Sequence, residues 1–287
     1  MLLFRMQAAT MAAAAAAVGV GVAASGAPAV AAGQRPAFTA RPDRTVAPAG
    51  GVAGQARAGD TRPVVFVHGL HAGPGVWSSM KDKFEKDIAG DFPSARLHAF
   101  DYSDTTEDHI PDNAQRLSDW ISAEQLGEVD VVSHSMGGLV ARKAQEDGAQ
   151  IRRIITLATP NHGTGCCWSP TTHPWKACQD MWRDTLIGTQ SDFLTDLNVK
   201  AHITPDTVMT YAIGTSDGQV AADSVHLDGA LNKTIEPKTS GGNCLDPSVH
   251  NSILGRDEVA ADSMNFLRYG AVGVPKQSAL RRSSTAT

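Results

Sequence analysis

The sequence predicts an α/β fold with a mostly parallel central sheet and helices on both faces. Short apolar runs recur along the chain, each bounded by turn-forming or polar residues, as in strands that are buried on both faces. Segments with apolar residues at helical spacing separate these runs, so strand and helix alternate. A serine- and glycine-rich turn at residues 133–138 joins one such strand directly to a helix.

The N-terminal part of the chain falls outside this alternation. Arg5 precedes an uncharged run, dominated by alanine, that continues to Val22. A basic start, an apolar centre and a small-residue site are typical of a secretory signal peptide, predicted here over residues 1–32 with cleavage after Ala31 or Ala32. A membrane anchor is the alternative, but alanine and glycine are barely apolar enough and no stop-transfer flank follows.

Two further segments are predicted to flank the folded domain. Residues 33–60 are rich in Gly, Ala, Pro and Arg, lack the apolar surface needed to fold, and are predicted to be a disordered linker. Residues 271–287 contain a Ser/Thr run and are predicted to be a flexible tail. The remaining residues, 61–270, are enough for one well-buried α/β domain.

Five apolar runs are predicted to be the strands of the sheet. The first consists of two valines, a phenylalanine and a valine, a composition typical of a strand with both faces buried. Each run is followed by polar residues or by a turn. The predicted strands are residues 64–67, 95–100, 129–133, 151–157 and 208–213.

Helices are predicted between and after these strands. Pro111 suits a first helical position, and Ala114, Leu117 and Ile121 recur behind it at helical spacing. In such folds the reactive groups gather outside the carboxyl ends of the strands, so candidate site residues are sought there. The predicted helices are about residues 76–88, a segment that starts at Pro111, residues 136–148 and about residues 251–267.

Charge and cysteine content narrow the class of protein. The formal net charge is −5 and basic residues do not cluster, which argues against a nucleic-acid partner. Four cysteines in an exported chain predict two disulfides rather than free thiols. Adjacent Cys166 and Cys167 cannot easily pair, so Cys244 is predicted to bond one of them, and one bridge to clamp the segment after Pro160. Zinc is the alternative, but no C-x-x-C pair is present.

The turn at residues 131–138 has the pattern of a nucleophile elbow, in which a strand ends, the backbone turns sharply and a helix begins. The turn raises Ser135 above the sheet edge, and crowding there requires small residues two positions before and after it. Gly137 meets that requirement. Ser133 stands where the usual G-x-S-x-G pattern has glycine, and serine is still small.

A serine nucleophile needs a base, normally a histidine that a buried carboxylate orients. In hydrolases with this elbow the chain order is Ser, then Asp or Glu, then His. His250, in the loop before the last predicted helix, suits this order, with His226 as the main rival. Asp217, just past a strand end, is the predicted acid. Two other aspartates, Asp223 and Asp228, lie further into polar loop and are interpreted as solvated or capping residues.

Attack on a carbonyl creates an oxyanion, which preorganised backbone N–H groups must stabilise. One is predicted to come from Met136, directly after the serine. The second is predicted to come from Leu70, in the loop after the first strand, where Gly69 permits close backbone approach. A His-Gly turn is common in unrelated proteins, but this one follows a buried strand.

Taken together, these motifs resemble the secreted bacterial lipases and esterases of the α/β-hydrolase superfamily, and most closely the small lipases with almost no lid. The resemblance covers about Pro63 to Leu267. The segments that carry it are residues 65–69, 131–138, 156–164 and 227–230, with the surroundings of Asp217 and His250. It implies an α/β-hydrolase fold, hydrolysis of carboxylic esters including acylglycerols, no cofactor, a Ser135–Asp217–His250 triad, and Leu70 and Met136 as the oxyanion hole.

Two features depart from those lipases. Residues 166–182 form an insert with Trp168, Trp175 and Trp182 beside the cysteines, interpreted as a rigid rim for acyl chains or as an apolar patch on the core. About thirty residues separate Asp217 from His250, which predicts an exposed loop near the site.

The predicted function is therefore a secreted serine ester hydrolase, a monomer whose substrates are lipid esters and which can contact lipid surfaces peripherally. A short-chain esterase, a phospholipase or acyltransferase, and a polyester hydrolase remain alternatives, because acyl-length preference depends on pocket depth. A binding protein that kept the hydrolase shell and a protease are further alternatives. No carboxylate cluster has the spacing of a metal site.

Overall fold

The computed structural model describes residues 62–167, 174–200, 203–239 and 241–276. The predicted signal peptide and linker lie outside the described residues, as do the predicted tail from residue 277 onward and Trp168 of the insert. None of the helices in the described ranges has both the length and the apolar character needed to cross a membrane.

A six-stranded sheet forms the centre of the described part, and every pair of neighbouring strands is parallel. The predicted α/β class and all five predicted strands are confirmed, the second in a shorter form. The strand order is β2-β1-β3-β4-β5-β6. The strands are β1 Val64–Val67, β2 Leu97–Phe100, β3 Val129–His134, β4 Ile151–Leu157, β5 Val208–Ile213 and β6 Leu231–Ile235.

Helices connect the strands and cover the sheet. A 3₁₀ turn, Pro74–Trp77, precedes the first of them, because Pro74 starts a helix without needing an N–H partner. The described α-helices are α1 Ser78–Glu85, α2 Ile110–Ala123, α3 Met136–Glu146, α4 Lys176–Met181, α5 Asp192–Lys200, α6 Ala222–Val225, α7 Ser248–Asn251 and α8 Asp257–Tyr269.

The prediction of a single continuous closing helix over about residues 251–267 was wrong. A short helix, α7, runs into the 3₁₀ turn Ser252–Gly255, and α8 starts only after Arg256, whose backbone is extended (φ −82°, ψ 126°). This break allows the α7 segment to follow its own direction. His250 lies on that separate segment rather than in a loop before a helix.

Strand β6 was missed because its sequence is half polar. Lys233 and Asn232 interrupt the apolar run, yet both side chains have specific partners. The ammonium of Lys233 lies 3.0 Å from Asp262 Oδ2, and the amide of Asn232 bonds the Leu227 carbonyl at 2.8 Å. Pairing with β5 and these contacts, rather than an apolar pattern, stabilise this strand at the sheet edge.

Apolar side chains cover both faces of the sheet. Val64 and Phe66 pack on one side with Trp77 and the apolar face of α8, while Val65 and Val67 pack on the other with α2 and α3. Because successive side chains of a strand point to opposite faces, a central parallel strand that is buried on both faces must be apolar throughout. This is why the first predicted strand was recognisable.

The strand order also creates a crevice. The chain passes from β1 outward to β2, then returns to place β3 on the other side of β1. At such a switch point the loops that follow the two adjacent strands diverge and leave space above the sheet edge. The loops after β1 and β3 carry Gly69 and Ser135, and a Cβ on Gly69 would lie 2.8 Å from the Cβ of Ser135.

Candidate active site

Ser135 occupies a strained turn between β3 and α3. Its backbone has φ 53° and ψ −132°, a conformation that costs an L-residue about 1–3 kcal/mol. The Ser135 N–H donates to the Leu157 carbonyl at 2.9 Å, which ties the turn to the end of β4. The side chain is partly exposed while its neighbours on both sides are buried. The predicted sharp turn at the strand end is therefore present.

Glycine is required after the turn because backbone packs directly against it. A Cβ on Gly137 would lie 2.3 Å from the His68 carbonyl oxygen, and one on Gly138 would lie 2.2 Å from Thr159 Oγ1. Neither distance is compatible with a side chain. These contacts bring the start of α3 against the loop after β1 and against the segment after β4.

The serine that replaces the usual first glycine of the elbow is accommodated by one hydrogen bond. Ser133 is fully buried, and its hydroxyl donates to the Ile155 carbonyl at 2.8 Å. A buried hydroxyl without a partner would destabilise the fold, so this bond removes the penalty for the substitution.

Asp217 and His250 form a buried hydrogen-bonded pair. Nδ1 of His250 lies 2.6 Å from Asp217 Oδ2, and both residues are at most 2% exposed. The other carboxylate oxygen of Asp217 accepts the backbone N–H groups of Gln219 at 2.9 Å and Val220 at 2.7 Å. These two bonds orient the carboxylate, which in turn orients the imidazole.

The second ring nitrogen of His250, Nε2, is the atom that would accept a proton if His250 acts as a base. Its Nε2 atom is buried and has no hydrogen-bond partner among the described residues. His250 and Ser135 line the same cavity, of about 500 Å³, so the structure brings the predicted serine, acid and histidine to one place. The hydrogen bond between a serine nucleophile and its base often becomes short only when substrate is bound.

The two predicted oxyanion donors belong to the loop after β1 and to the start of α3. Leu70 follows Gly69 and lines the cavity, and Met136 is the first residue of α3, where N–H groups have no partner within the helix. Neither backbone N–H has a backbone carbonyl partner in the described ranges. The Met136 side chain itself is buried in the core.

Buried aromatic contacts hold the loop after β1. The His68 ring stacks on Tyr102 with 4.3 Å between ring centres, its Nδ1 lies 3.0 Å from the Gly69 carbonyl oxygen, and the Tyr102 hydroxyl donates to the His68 carbonyl. Burial lowers the pKa of His68, which favours the neutral ring. This histidine supports the loop.

His134 is a further site residue that the sequence did not reveal. Its ring centre lies 4.7 Å from that of His250, and its Nε2 lies 3.4 Å from the His250 carbonyl oxygen. Burial, followed by the charge of His250, lowers the pKa of His134 well below its usual value. A neutral ring can donate to that carbonyl. The contact joins residues 116 positions apart, so no local pattern could indicate it.

The rival acid and base have other partners. The His226 Nε2 atom lies 3.2 Å from the Thr234 hydroxyl, and Asp223 pairs with Arg183 at 2.9 Å. His226 does not line the cavity that contains Ser135, whereas His250 does, and His250 has Asp217 as its carboxylate partner. The predicted assignment to Asp217 and His250 is thus the one that the geometry favours.

Comparison with known proteins supplies the family. The family model for class 2 lipases matches residues 61–252, which is more than half of the chain. This chain belongs to the class 2 lipase family. It is therefore an ester hydrolase, and the predicted α/β-hydrolase fold and resemblance to small lipases are confirmed. A comparison with curated proteins finds no match.

Several solved structures are similar to this class 2 lipase at low sequence identity. Phospholipase PlaB from Legionella pneumophila, in complex with thio-NAD, is 14% identical over 74% of this chain and 59% of PlaB, with a TM-score of 0.55. The mature lipase BlEst2 from Bacillus licheniformis is 20% identical over 67% of this chain and 88% of BlEst2, with a TM-score of 0.44. Lipase B from Aspergillus fumigatus is 14% identical over 73% and 53%, with a TM-score of 0.49.

Two disulfides build one wall of the lipase cavity. Cys166 pairs with Cys244 and Cys167 with Cys178, which confirms two disulfides, a bridge within the insert, and a bond from Cys244 to one of the adjacent cysteines. All four cysteines line the cavity, together with apolar side chains. The apolar lining side chains include Leu70, Val76, Trp175, Met181, Leu245 and Leu254.

The described part of the insert is anchored to the loop after β1. Trp175 is partly buried, lines the cavity and meets the His71 ring edge-on at 4.5 Å. Nε2 of the His71 ring also lies 2.9 Å from Glu107 Oε1, and the backbone N–H of His71 donates to the Thr106 hydroxyl at 3.3 Å. Trp175 therefore has both properties considered for the insert, because it forms a rim of the cavity and packs on the core. No group of three or more His, Cys, Asp or Glu side chains within the described ranges is placed to hold a metal ion.

Proposed function

We propose that this lipase hydrolyses lipid esters through an acyl-enzyme, with Ser135 as nucleophile, His250 as general base and acid, and Asp217 as the carboxylate that orients it. The observation that carries the proposal is the 2.6 Å Asp217–His250 bond, which leaves a buried, unpartnered Nε2 on the cavity that Ser135 lines. A hydroxyl and a base on one cavity are what acyl transfer requires.

In the first half of the reaction, Ser135 Oγ attacks the ester carbonyl carbon while its proton passes to His250 Nε2. The carbonyl π electrons move to oxygen, and the N–H groups of Leu70 and Met136 stabilise that oxyanion. Asp217 stabilises the imidazolium through Nδ1–H. When the carbonyl re-forms, the alcohol leaves with the proton from Nε2, and an acyl-Ser135 ester remains.

In the second half, water attacks the acyl-enzyme and gives its proton to His250 Nε2. Collapse of this second tetrahedral intermediate breaks the bond to Ser135 Oγ, which takes the proton back, and releases a carboxylic acid. Every proton transfer uses one ring nitrogen of one histidine. The reaction therefore needs no group beyond those named and water.

Lipid esters are the proposed substrates because the cavity wall is mostly apolar. Leu70, Trp175, Met181 and Leu254 can contact a hydrocarbon chain, and a cavity of about 500 Å³ has room for one. We expect kcat/KM to rise from acetyl to octanoyl p-nitrophenyl esters. A maximum at acetyl, followed by a steady fall, would favour a short-chain esterase instead.

The nucleophile assignment is tested by Ser135→Ala and by a fluorophosphonate probe. We expect this variant to lose about 10⁴-fold or more in kcat on p-nitrophenyl butyrate, and mass spectrometry to locate the phosphonyl group on Ser135. The control is Ser79→Ala, which removes a surface hydroxyl on α1 and should leave the rate unchanged. Full activity of Ser135→Ala would contradict the proposal.

We also propose that the lipase is exported and acts outside the cell. The signal-peptide pattern of residues 1–32 and two disulfides, which form in oxidising compartments, support this. Expression from the full sequence in a secreting bacterial host should yield protein in the medium that starts at Ala32 or Gly33. N-terminal sequencing checks this, and retention of Met1 on a cell-associated product would contradict it.

A further inference from the structure

An exposed hairpin beside the cavity presents two large aliphatic side chains to solvent. Leu186 is 94% exposed and Ile187 is 74% exposed, and the two are adjacent at the tip. The five residues at 185–189 carry no charge. Adjacent side chains of this size at one tip differ from the singly scattered apolar residues that occur on most surfaces.

The hairpin, residues 183–190, is held by its own hydrogen bonds. Arg183 pairs with Gln190 across its base, and the Asp184 N–H donates to the Thr189 carbonyl at 2.8 Å. The N–H groups of Leu186 and Ile187 both donate to Asp184 Oδ1, at 2.8 and 3.2 Å. The next N–H, that of Gly188, donates to the Asp184 carbonyl at 2.9 Å.

This bonding pattern matters for the medium that the tip can enter. A backbone N–H that leaves water for hydrocarbon without a partner costs several kcal/mol, so segments that enter lipid satisfy these groups internally. Three consecutive N–H groups at the tip are already satisfied by Asp184 at its base. The apolar tip can therefore leave water without losing hydrogen bonds from these donors.

The hairpin starts at the wall of the cavity. The Arg183 N–H donates to the carbonyl of Thr164, which lines the cavity, and a Cβ on Gly165 would lie 3.0 Å from Thr185 Cγ2. Gly165 precedes Cys166, whose disulfide leads to Cys244 and so to Leu245. Leu245 lines the cavity and is 94% exposed, so a third large aliphatic side chain is exposed at the cavity that the hairpin adjoins.

We propose that the tip of hairpin 183–190, with Leu186 and Ile187, docks this lipase on an uncharged or zwitterionic lipid surface and brings the cavity mouth to it. The inference rests on the proposed function, since lipid esters are found at such surfaces. A protein partner is disfavoured because two side chains on a convex tip bury far less than the area of about 1,200–2,000 Å² in stable interfaces. The net charge of −5 disfavours anionic lipid.

The test uses the full chain in a Ser135→Ala background, so that lipid is not consumed, and measures co-flotation with phosphatidylcholine vesicles that contain triolein. Leu186→Ser with Ile187→Ser should weaken binding at least about tenfold, because burying one such side chain changes partition by that factor or more. Leu186→Phe with Ile187→Phe should retain binding, as an apolar anchor requires.

The matched control is Ile88→Ser with Val272→Ser. These residues are 103% and 86% exposed but lie outside the cavity lining and follow α1 and α8. The control should bind vesicles like the parent. Equal binding by the tip variant and this control would overturn the proposal, as would a tip variant that changes only self-association in sedimentation.

A soluble ester separates this inference from the proposed function. With Ser135 present, the tip variant should hydrolyse p-nitrophenyl butyrate at the parent rate but emulsified triolein more slowly. If the parent enzyme hydrolyses no ester, the proposed function fails whatever the vesicles show. If soluble activity is normal and emulsion activity is unaffected by the tip variant, the docking proposal alone fails.

Discussion

The two halves of the site are held in place by different parts of the molecule. Ser135 lies at the end of a central strand, where backbone hydrogen bonds and close-packed glycines position it. Asp217 and His250 lie in the segments that follow β5 and β6. A Cβ on Gly218 would lie 2.1 Å from the Gly242 carbonyl carbon, so these segments pack backbone against backbone.

A disulfide spans the second half. The Cys166–Cys244 bridge joins the segment after β4 to the one before α7, and the hydroxyl of Thr164 donates to the Gln219 carbonyl at 2.5 Å. The loop that contains Asp217 therefore contacts both of the segments that this disulfide joins. The sheet therefore positions the proposed nucleophile Ser135, while cross-links between loops position the proposed acid Asp217 and base His250.

The largest expected effect follows from replacing the carboxylate of the Asp217–His250 pair. Asp217→Asn should lower kcat about 10⁴-fold, because an amide no longer selects the ring tautomer that leaves Nε2 free to accept a proton. The fold should survive, since the change is isosteric. Steady-state kinetics on p-nitrophenyl butyrate check this, with the exposed Asp223→Asn as control. A loss below about tenfold would show that another group orients His250.

One added methyl group at Gly137 should be enough to disturb the turn that contains Ser135. Gly137→Ala places a Cβ 2.3 Å from the His68 carbonyl oxygen, and overpacking of this kind costs about 1–3 kcal/mol. We expect a lower free energy of unfolding and at least about hundredfold lower activity, because the Ser135 turn must shift. Gly255→Ala, which has open space, is the control. Wild-type values in urea melts and kinetics would refute the packing argument.

The two disulfides should differ in how much they stabilise the fold. Loss of Cys166–Cys244 should lower stability by about 2–4 kcal/mol, and by about 1–2 kcal/mol more than loss of Cys167–Cys178, because the closed loops span 78 and 11 residues. Paired Cys→Ser variants are compared by denaturant unfolding.

Catalysis should follow the same order in these paired variants. Without Cys166–Cys244 we expect kcat/KM to fall at least about tenfold, as the acid and base loops lose their link. Circular dichroism should show an intact sheet. If the variant that lacks Cys167–Cys178 loses more activity, the insert rather than the acid loop is the element that the cross-links position.

A smaller effect should appear in the pH dependence of stability. Burial lowers the pKa of His68, His134 and His162, so the unfolded chain binds more protons than the native one below about pH 6.5. Their contribution is complete above that pH and is lost as the pH falls through each lowered pKa, by up to about 1.4 kcal/mol per unit for the fully buried His134 and by less for the partly exposed His162. Urea melts between pH 7.5 and 5 measure it, and His134→Gln should flatten the slope. An unchanged slope would show that His134 is not held neutral.

The fold class and the nucleophile half could be predicted from the sequence because both depend on local patterns. Buried parallel strands are apolar throughout, and the elbow compresses a strand end, a serine and glycines into eight residues. The order of motifs also indicated Asp217 and His250. The even number of cysteines predicted two bridges, though their pairing stayed open between Cys166 and Cys167.

Only the tertiary structure decided the contacts between residues far apart in the chain. It paired Cys244 with Cys166, placed His134 against His250, and added β6 as an edge strand whose polar residues find their partners on other elements. It also broke the closing helix, so that His250 lies on a short segment of its own. Such contacts leave no periodic trace, because each partner's identity is compatible with many neighbours until the chain has folded.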